Sequence, residues 1–311
     1  MINEHSAEEV GDAVIAPCVF CGSCNHTIVV PATWNAIYSL CAVCGHQREQ
    51  LQSGGVSQDE PYYEDEANFY FSPFSRWLSA NVARQRIAAL KSCVPNGHIL
   101  EVGPGTGEVI LAAEQEGFLV EGVENSSVFA ERLRLKTAAV IHHSLVEDAD
   151  FRSAEFDAVL SFHVIEHIAD PLNHLHQLYK VAKPRGYLLI ATPNAASWDR
   201  RLCKTSWTGY SIGHVNLFTR RSLSEALTRT GWEVVKISTL EFPWQLLWSL
   251  KVRIKPKRNT RESAGSNIKK IPLVIGAFAL GLFGFLTKPL RFIQEKLGGG
   301  NEVFVVARRT N

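Results

Sequence analysis

Between residues 69 and 241 the chain alternates short apolar runs with stretches whose apolar positions recur at helical spacing. Ile99, Leu100 and Val102 form one compact apolar run, and Phe118 to Glu124 forms the next. Further runs follow at Phe156 to Phe162, within Lys183 to Pro193, and at Trp232 to Ser238. Thr106 to Glu116 reads as a helix, and a second helix should follow Pro171. Strand-length runs separated by helical segments predict an α/β fold built on a parallel sheet. A last strand-like run, Val303 to Ala307, lies beyond a segment of different character.

The length of 311 residues suffices for one full core and a small accessory module. At 46% hydrophobic and 20% charged, the composition excludes a disordered, collagenous or polytopic membrane chain. The net charge of +1 hides an asymmetry. Residues 1–70 carry ten acids and one base, residues 71–250 carry 18 of each, and residues 251–311 carry 13 bases and three acids. We divide the chain into a Cys-rich module (1–47), an acidic connector (48–68) and the α/β domain (69–311), whose segment 242–298 is first aromatic and basic, then apolar. The first residues lack a basic stretch followed by an apolar one, so a cytoplasmic location is expected.

Two matching C-x-x-C-G knuckles, Cys18 to Gly22 and Cys41 to Gly45, dominate the first module. Each glycine permits the tight turn that points backbone N–H groups at thiolates. Four soft ligands in two pairs suit a tetrahedral structural zinc held by Cys18, Cys21, Cys41 and Cys44. Cys24, His26 and His46 are alternative ligands nearby. With four positions filled, such an ion has no open site and no catalytic role.

The stretch His98 to Gly107, HILEVGPGTG, is a strand, a glycine loop and a helix start. Gly103, Gly105 and Gly107 allow close backbone approach to a ligand, as in dinucleotide folds. Glu101, two residues before the first glycine, suits a ligand with a positive amino group, where pyrophosphate would favour a site free of carboxylates. Glu124, at the end of the next strand, can accept from ribose hydroxyls. Together the two carboxylates suit S-adenosylmethionine (SAM).

Residues 97–125 resemble motifs I and II of the class I SAM-dependent methyltransferases. The resemblance continues through Phe156 to His167, Lys183 to Asn194 and Gly213 to Thr219. It implies a Rossmann-like sheet of seven strands with the last strand antiparallel. It also implies that Glu101, Gly103, Gly105 and Gly107 hold the methionine part, Glu124 the ribose, and Ser144 with Leu145 the adenine. Phe162 and His163 would line the methyl-transfer face. A zinc ribbon joined to this core is similar to bacterial methyltransferases that modify sugars, glycans or lipid-linked intermediates.

Methyl transfer to a hydroxyl requires loss of a proton, a task that suits histidine. His163, His167 and His214 are the candidates, in loops at the carboxyl ends of the strands, where open α/β sheets bind ligands. The place after the fourth strand reads Ser161-Phe-His-Val, unlike the (Asp/Asn)-Pro-Pro-(Tyr/Phe) run of nucleobase amino-methylating enzymes. O-methylation of a sugar, glycan or lipid-linked acceptor is therefore the leading expectation. An RNA methyltransferase and a non-catalytic SAM-binding scaffold are the alternatives.

In that fold the segment 242–298 is an insertion between the sixth and seventh strands. Residues 251–270 hold eight bases and one acid, and Ile271 to Thr287 is uncharged. At roughly 1.5 Å per residue this apolar run falls short of a ~30 Å bilayer core. The last strand must also return to its partner. Aromatic, polybasic and apolar stretches together suit peripheral attachment to an anionic inner membrane face.

Overall fold

The computed structural model describes residues 16–31, 36–50, 73–211, 213–240 and 287–311. The first module is a small antiparallel sheet of β1 (His26–Val29), β2 (Ile37–Cys41) and β3 (Gln47–Gln50). β3 crosses the expected module boundary at residue 47 and pairs onward with β9 (Asn216–Leu217), which belongs to the α/β part. The connector beyond Gln50 lies outside the described residues.

The main sheet holds β4 (His98–Val102), β5 (Leu119–Glu124), β6 (Val140–His143), β7 (Phe156–Phe162), β8 (Ala182–Pro193), β10 (Trp232–Leu240) and β11 (Glu302–Arg309). Its order is β10-β11-β8-β7-β4-β5-β6. β11 runs antiparallel between β8 and β10, with Val305 opposite both Ile190 and Ile237. The expected seven strands and their antiparallel member are thus all present. Central strands are apolar on both faces because both faces are covered. Ile99 and Leu160 join one apolar layer, while their neighbours Leu100 and Val159 join the other.

The helices are α1 (Pro73–Cys93), α2 (Glu108–Gln115), α3 (Ser127–Arg134), α4 (Pro171–Val181), α5 (Trp198–Cys203), α6 (Arg220–Arg229) and α7 (Lys288–Lys296). α2 starts two residues later than the pattern predicts, because Gly107 adopts φ +84° and caps it. Asp170 accepts from the Asn173 N–H at 3.1 Å and Pro171 occupies the first helical position, so Asp-Pro starts α4. A reciprocal Thr219–Ser222 box caps α6.

Of the insertion, residues 242–286 lie outside the described residues. Among the described residues no helix is long and apolar enough to cross a membrane.

Candidate functional site

The candidate site lies at the carboxyl edge of β4, β5 and β7, where the start of antiparallel β11 joins it. Gly103, Gly105 and Gly107 all have φ between +53° and +84°, a region costly for other residues. A Cβ at Gly103 would lie 2.6 Å from Val164 Cγ2, and one at Gly107 would run into Leu133. At Gly105 nothing among the described residues lies within 4 Å. The first and third glycines thus serve packing, and the second faces open space.

Glu101 is buried, and its Oε2 has no partner among the described residues. Burial, reinforced by Glu108 and Glu124 and opposed by Arg86, raises its carboxyl to about 8. An unpartnered buried carboxylate invites a cation. Beside an open glycine loop it fits the amino group of SAM. Glu124 accepts from the Gly105 N–H at 3.1 Å and the Ser126 N–H at 2.9 Å. Burial also pushes Glu124 upward. Ser144 donates its N–H to the Glu124 carbonyl at 3.2 Å, which sets Ser144 and exposed Leu145 beside that end of the loop. Phe162 sits deeper than expected. It is 7% exposed, stacks on Phe304 and lies under the Arg86 guanidinium at 4.2 Å.

His163 follows β7 with φ +58°, a strained conformation for a non-glycine residue. Its Nδ1 lies 3.2 Å from Glu166 Oε1 and its Nε2 2.7 Å from Glu302 Oε2. Burial alone would lower the imidazole, but the two carboxylates outweigh it and raise it to about 9. His163 is therefore an imidazolium with both N–H groups engaged, so in this arrangement it has no lone pair for a proton. Glu302 also accepts from Arg86 at 2.9 Å, and Glu166 accepts from the Thr192 hydroxyl at 3.0 Å. Burial opposes ionisation of Glu166, yet His163 brings it down to about 2. The result is a chain of alternating charge: Arg86, Glu302, His163, Glu166.

His167 and His214 stand on the other side of Glu166. Their rings meet edge-to-face at 4.7 Å. His167 Nδ1 bonds the Gly213 carbonyl at 3.0 Å, and His214 Nδ1 bonds the Gly209 carbonyl at 2.9 Å. A carbonyl only accepts, so each Nδ1 donates. Burial, with help from His167 and against Glu166, lowers His214 to about 4 and keeps it neutral. Two further histidines are held by carboxylates. His174 is buried and bonds Glu147 at 2.7 Å, and His142 bonds Glu121 at 2.6 Å.

The four cysteines Cys18, Cys21, Cys41 and Cys44 bring their sulfurs within 4.8 Å of one another. Gly22 and Gly45 turn at φ +71° and +74°, closing each knuckle. The donor set fits a tetrahedral zinc ion. Cys24 is exposed and outside the group. His46 lies 3.0 Å from Asn216 Oδ1. Because Asn216 Nδ2 donates to the Ile168 carbonyl at 2.6 Å, Oδ1 must face His46 and accept from it.

The module grips the loop that carries His214. Tyr38 donates to the His214 carbonyl at 2.7 Å, the Glu49 N–H to the Val215 carbonyl at 2.9 Å, and Tyr210 to Gln47 at 2.7 Å. Thr219 donates to the Cys44 carbonyl at 2.6 Å. Phe20, fully buried, packs against His46 and Phe218.

The sequence reading missed Arg86 and Glu302. Glu302 was one acid at the start of an apolar strand, and that misfit was the available signal. Its partners lie far away in sequence, so spacing could not reveal them.

Residues 74–237 match a family model described as "Methyltransferase domain", more than half of the chain. The chain is 30% identical over 129 residues to a ubiquinone/menaquinone biosynthesis C-methyltransferase of Geotalea daltonii, covering 37% of this chain and 55% of that one. It is 29% identical over 102 residues to a ubiquinone biosynthesis O-methyltransferase of Alkalilimnicola ehrlichii, covering 31% and 41%. The matched region thus spans about half the length of these curated relatives. A SAM-dependent methyltransferase from Archaeoglobus fulgidus superposes with a TM-score of 0.53 at 20% identity, covering 80% of this chain and all of that one. A Thermotoga maritima protein described as a possible histamine N-methyltransferase gives 0.51 at 19%, with the same coverage. At these identities the structures speak for the fold.

Proposed function

This chain belongs to the methyltransferase-domain family matched over residues 74–237, and from that premise we propose that it methylates a hydroxyl of a sugar, glycan or lipid-linked acceptor at an anionic membrane surface, with SAM as methyl donor. SAM, when bound, supplies an electrophilic methyl carbon on a sulfonium that leaves as a neutral thioether. Glu101 would hold the amino group, the backbone at Gly105 would approach the methionine part, and Glu124 would receive the ribose. Ser144 and Leu145 flank the adenine end.

The observation that carries the choice of oxygen is His214. An acceptor hydroxyl must lose one proton as its oxygen gains the methyl group. His214 is neutral, its Nδ1–H is fixed on Gly209, and its Nε2 keeps the lone pair to take that proton. His163 contributes fixed positive charge instead. The similarity to ubiquinone O-methyltransferases agrees with an oxygen acceptor, although it also extends to a C-methyltransferase. The basic and apolar content of residues 251–287 supports membrane contact.

The test supplies methyl-labelled SAM and a glycolipid extract to the purified chain and locates the label by mass spectrometry and NMR. An O-methyl product, reduced at least about hundredfold in rate by His214→Ala, supports the reading. Label on carbon or nitrogen refutes it. For the membrane part, the full chain should sediment with phosphatidylglycerol vesicles and a variant lacking residues 242–286 should not. Failure of the full chain to sediment removes the membrane part alone.

A further inference from the structure

We propose that Glu166, His167 and His214 form a binding site for one divalent first-row metal ion, separate from the four-cysteine site. One ligand atom from each of the three residues lies within 4.8 Å of the other two. Ligands around a first-row ion at about 2.1 Å sit roughly 3 Å or more apart, so small side-chain rotations close the set. Two imidazoles and one carboxylate suit manganese, iron, cobalt or zinc, whereas the four thiolates select zinc.

The orientation of the imidazoles is the second observation. His167 Nδ1 and His214 Nδ1 each donate to a backbone carbonyl, of Gly213 and Gly209. That leaves the Nε2 lone pair on both rings. Metal-ligating histidines show this arrangement, with the far nitrogen fixed by an outer partner. Glu166 is completely buried, and its two oxygens are held by His163 and Thr192. Each carboxylate oxygen still has a further lone pair.

The two segments that bring these groups together are held rigidly. Glu166 and His167 lie on a single turn, Ile165–His167, directly after β7. Asn216, two residues beyond His214, ties that segment to the turn through Ile168 O. The Cys-rich module clamps the same loop through Tyr38 and Glu49. His167 is exposed on the solvent side. Three protein donors with one open flank leave positions for a small oxygen ligand, as in catalytic rather than structural metal sites. Under the proposed O-methylation the base role of His214 Nε2 belongs to the metal-free chain; with the ion bound that lone pair is a ligand, and the ion would instead acidify a coordinated acceptor hydroxyl. That extension rests on the proposed function. The site itself does not.

The experiment titrates Mn²⁺ into the untagged full chain with zinc already in the cysteine site, followed by EPR. The expected result is one bound Mn²⁺ per chain, with imidazole nitrogen coupling in the pulsed spectrum. His167→Ala and His214→Ala should each weaken binding at least about tenfold. His176→Ala, whose ring stacks on Tyr179, should leave it unchanged. Absence of bound Mn²⁺, or bound Mn²⁺ without nitrogen coupling, overturns the site, and both read on the wild-type chain without any variant. Calorimetry of SAM binding on the same sample separates the two ideas: SAM binding without Mn²⁺ binding refutes only the metal site.

Discussion

Replacing Glu101 by glutamine should make the protein more stable and bind its cofactor less well. The buried carboxyl is raised from its ordinary 4.5 to about 8. Between those values the folded chain keeps a proton that the unfolded chain releases. Stability therefore falls as pH rises through that window, at about 1.4 kcal/mol per pH unit. At pH 7 the wild type carries a cost of about 3 kcal/mol that Glu101→Gln does not. An amide without a full set of partners returns about 1 kcal/mol of that difference. The net gain of about 2 kcal/mol corresponds to a rise of roughly 3 °C in unfolding temperature for a chain of 311 residues. Thermal unfolding of both proteins at pH 5, 7 and 8 measures it. The gap should be smallest at pH 5 and widest at pH 8. Calorimetry should show SAM affinity reduced by about tenfold or more, since a charged hydrogen bond is worth about 1.5–3 kcal/mol. Parallel stability curves across pH, or unchanged SAM affinity, would refute the reasoning.

Gly105→Ala places a Cβ in open space at φ +53°, so it should cost roughly 1 kcal/mol in stability while sharply weakening SAM binding by calorimetry. NMR should find the His163 imidazole protonated up to about pH 9 and His214 neutral down to about pH 4. The raised His163 contributes stability that is complete below its ordinary 6.5 and lost as pH rises through about 9, and Glu302→Gln should move that titration downward. Cys41→Ser should remove one equivalent of zinc by metal analysis. It should also change near-ultraviolet dichroism from the Trp207–Tyr210 pair, because Tyr210 is tied to the module through Gln47.

The glycine loop, the four cysteines and the strand succession were legible because each is a local pattern with a strong physical reason. Gly105 needs room, cysteine pairs need a turn glycine, and a two-sided sheet needs apolar runs. The four-residue charge chain was not legible. Arg86 and Glu302 are 216 positions apart and meet only because β11 inserts beside β8. The states of the histidines were hidden for the same reason. His163 and His214 look alike in sequence, yet one is pushed to about 9 by two carboxylates and the other to about 4 by burial. The pairing of β3 with β9 was equally invisible, since both strands are short and three of the four paired residues, Gln47, Arg48 and Asn216, are polar. What looked like an accessory module is part of the frame that holds His214.

The central claim is that Glu101 and the glycine loop around Gly105 receive SAM. Isothermal titration calorimetry of the purified full chain with SAM tests it most directly. One SAM bound per chain, with affinity lost in Gly105→Ala and reduced in Glu101→Gln, is the predicted result. No heat of binding from the correctly folded wild-type chain would contradict the account.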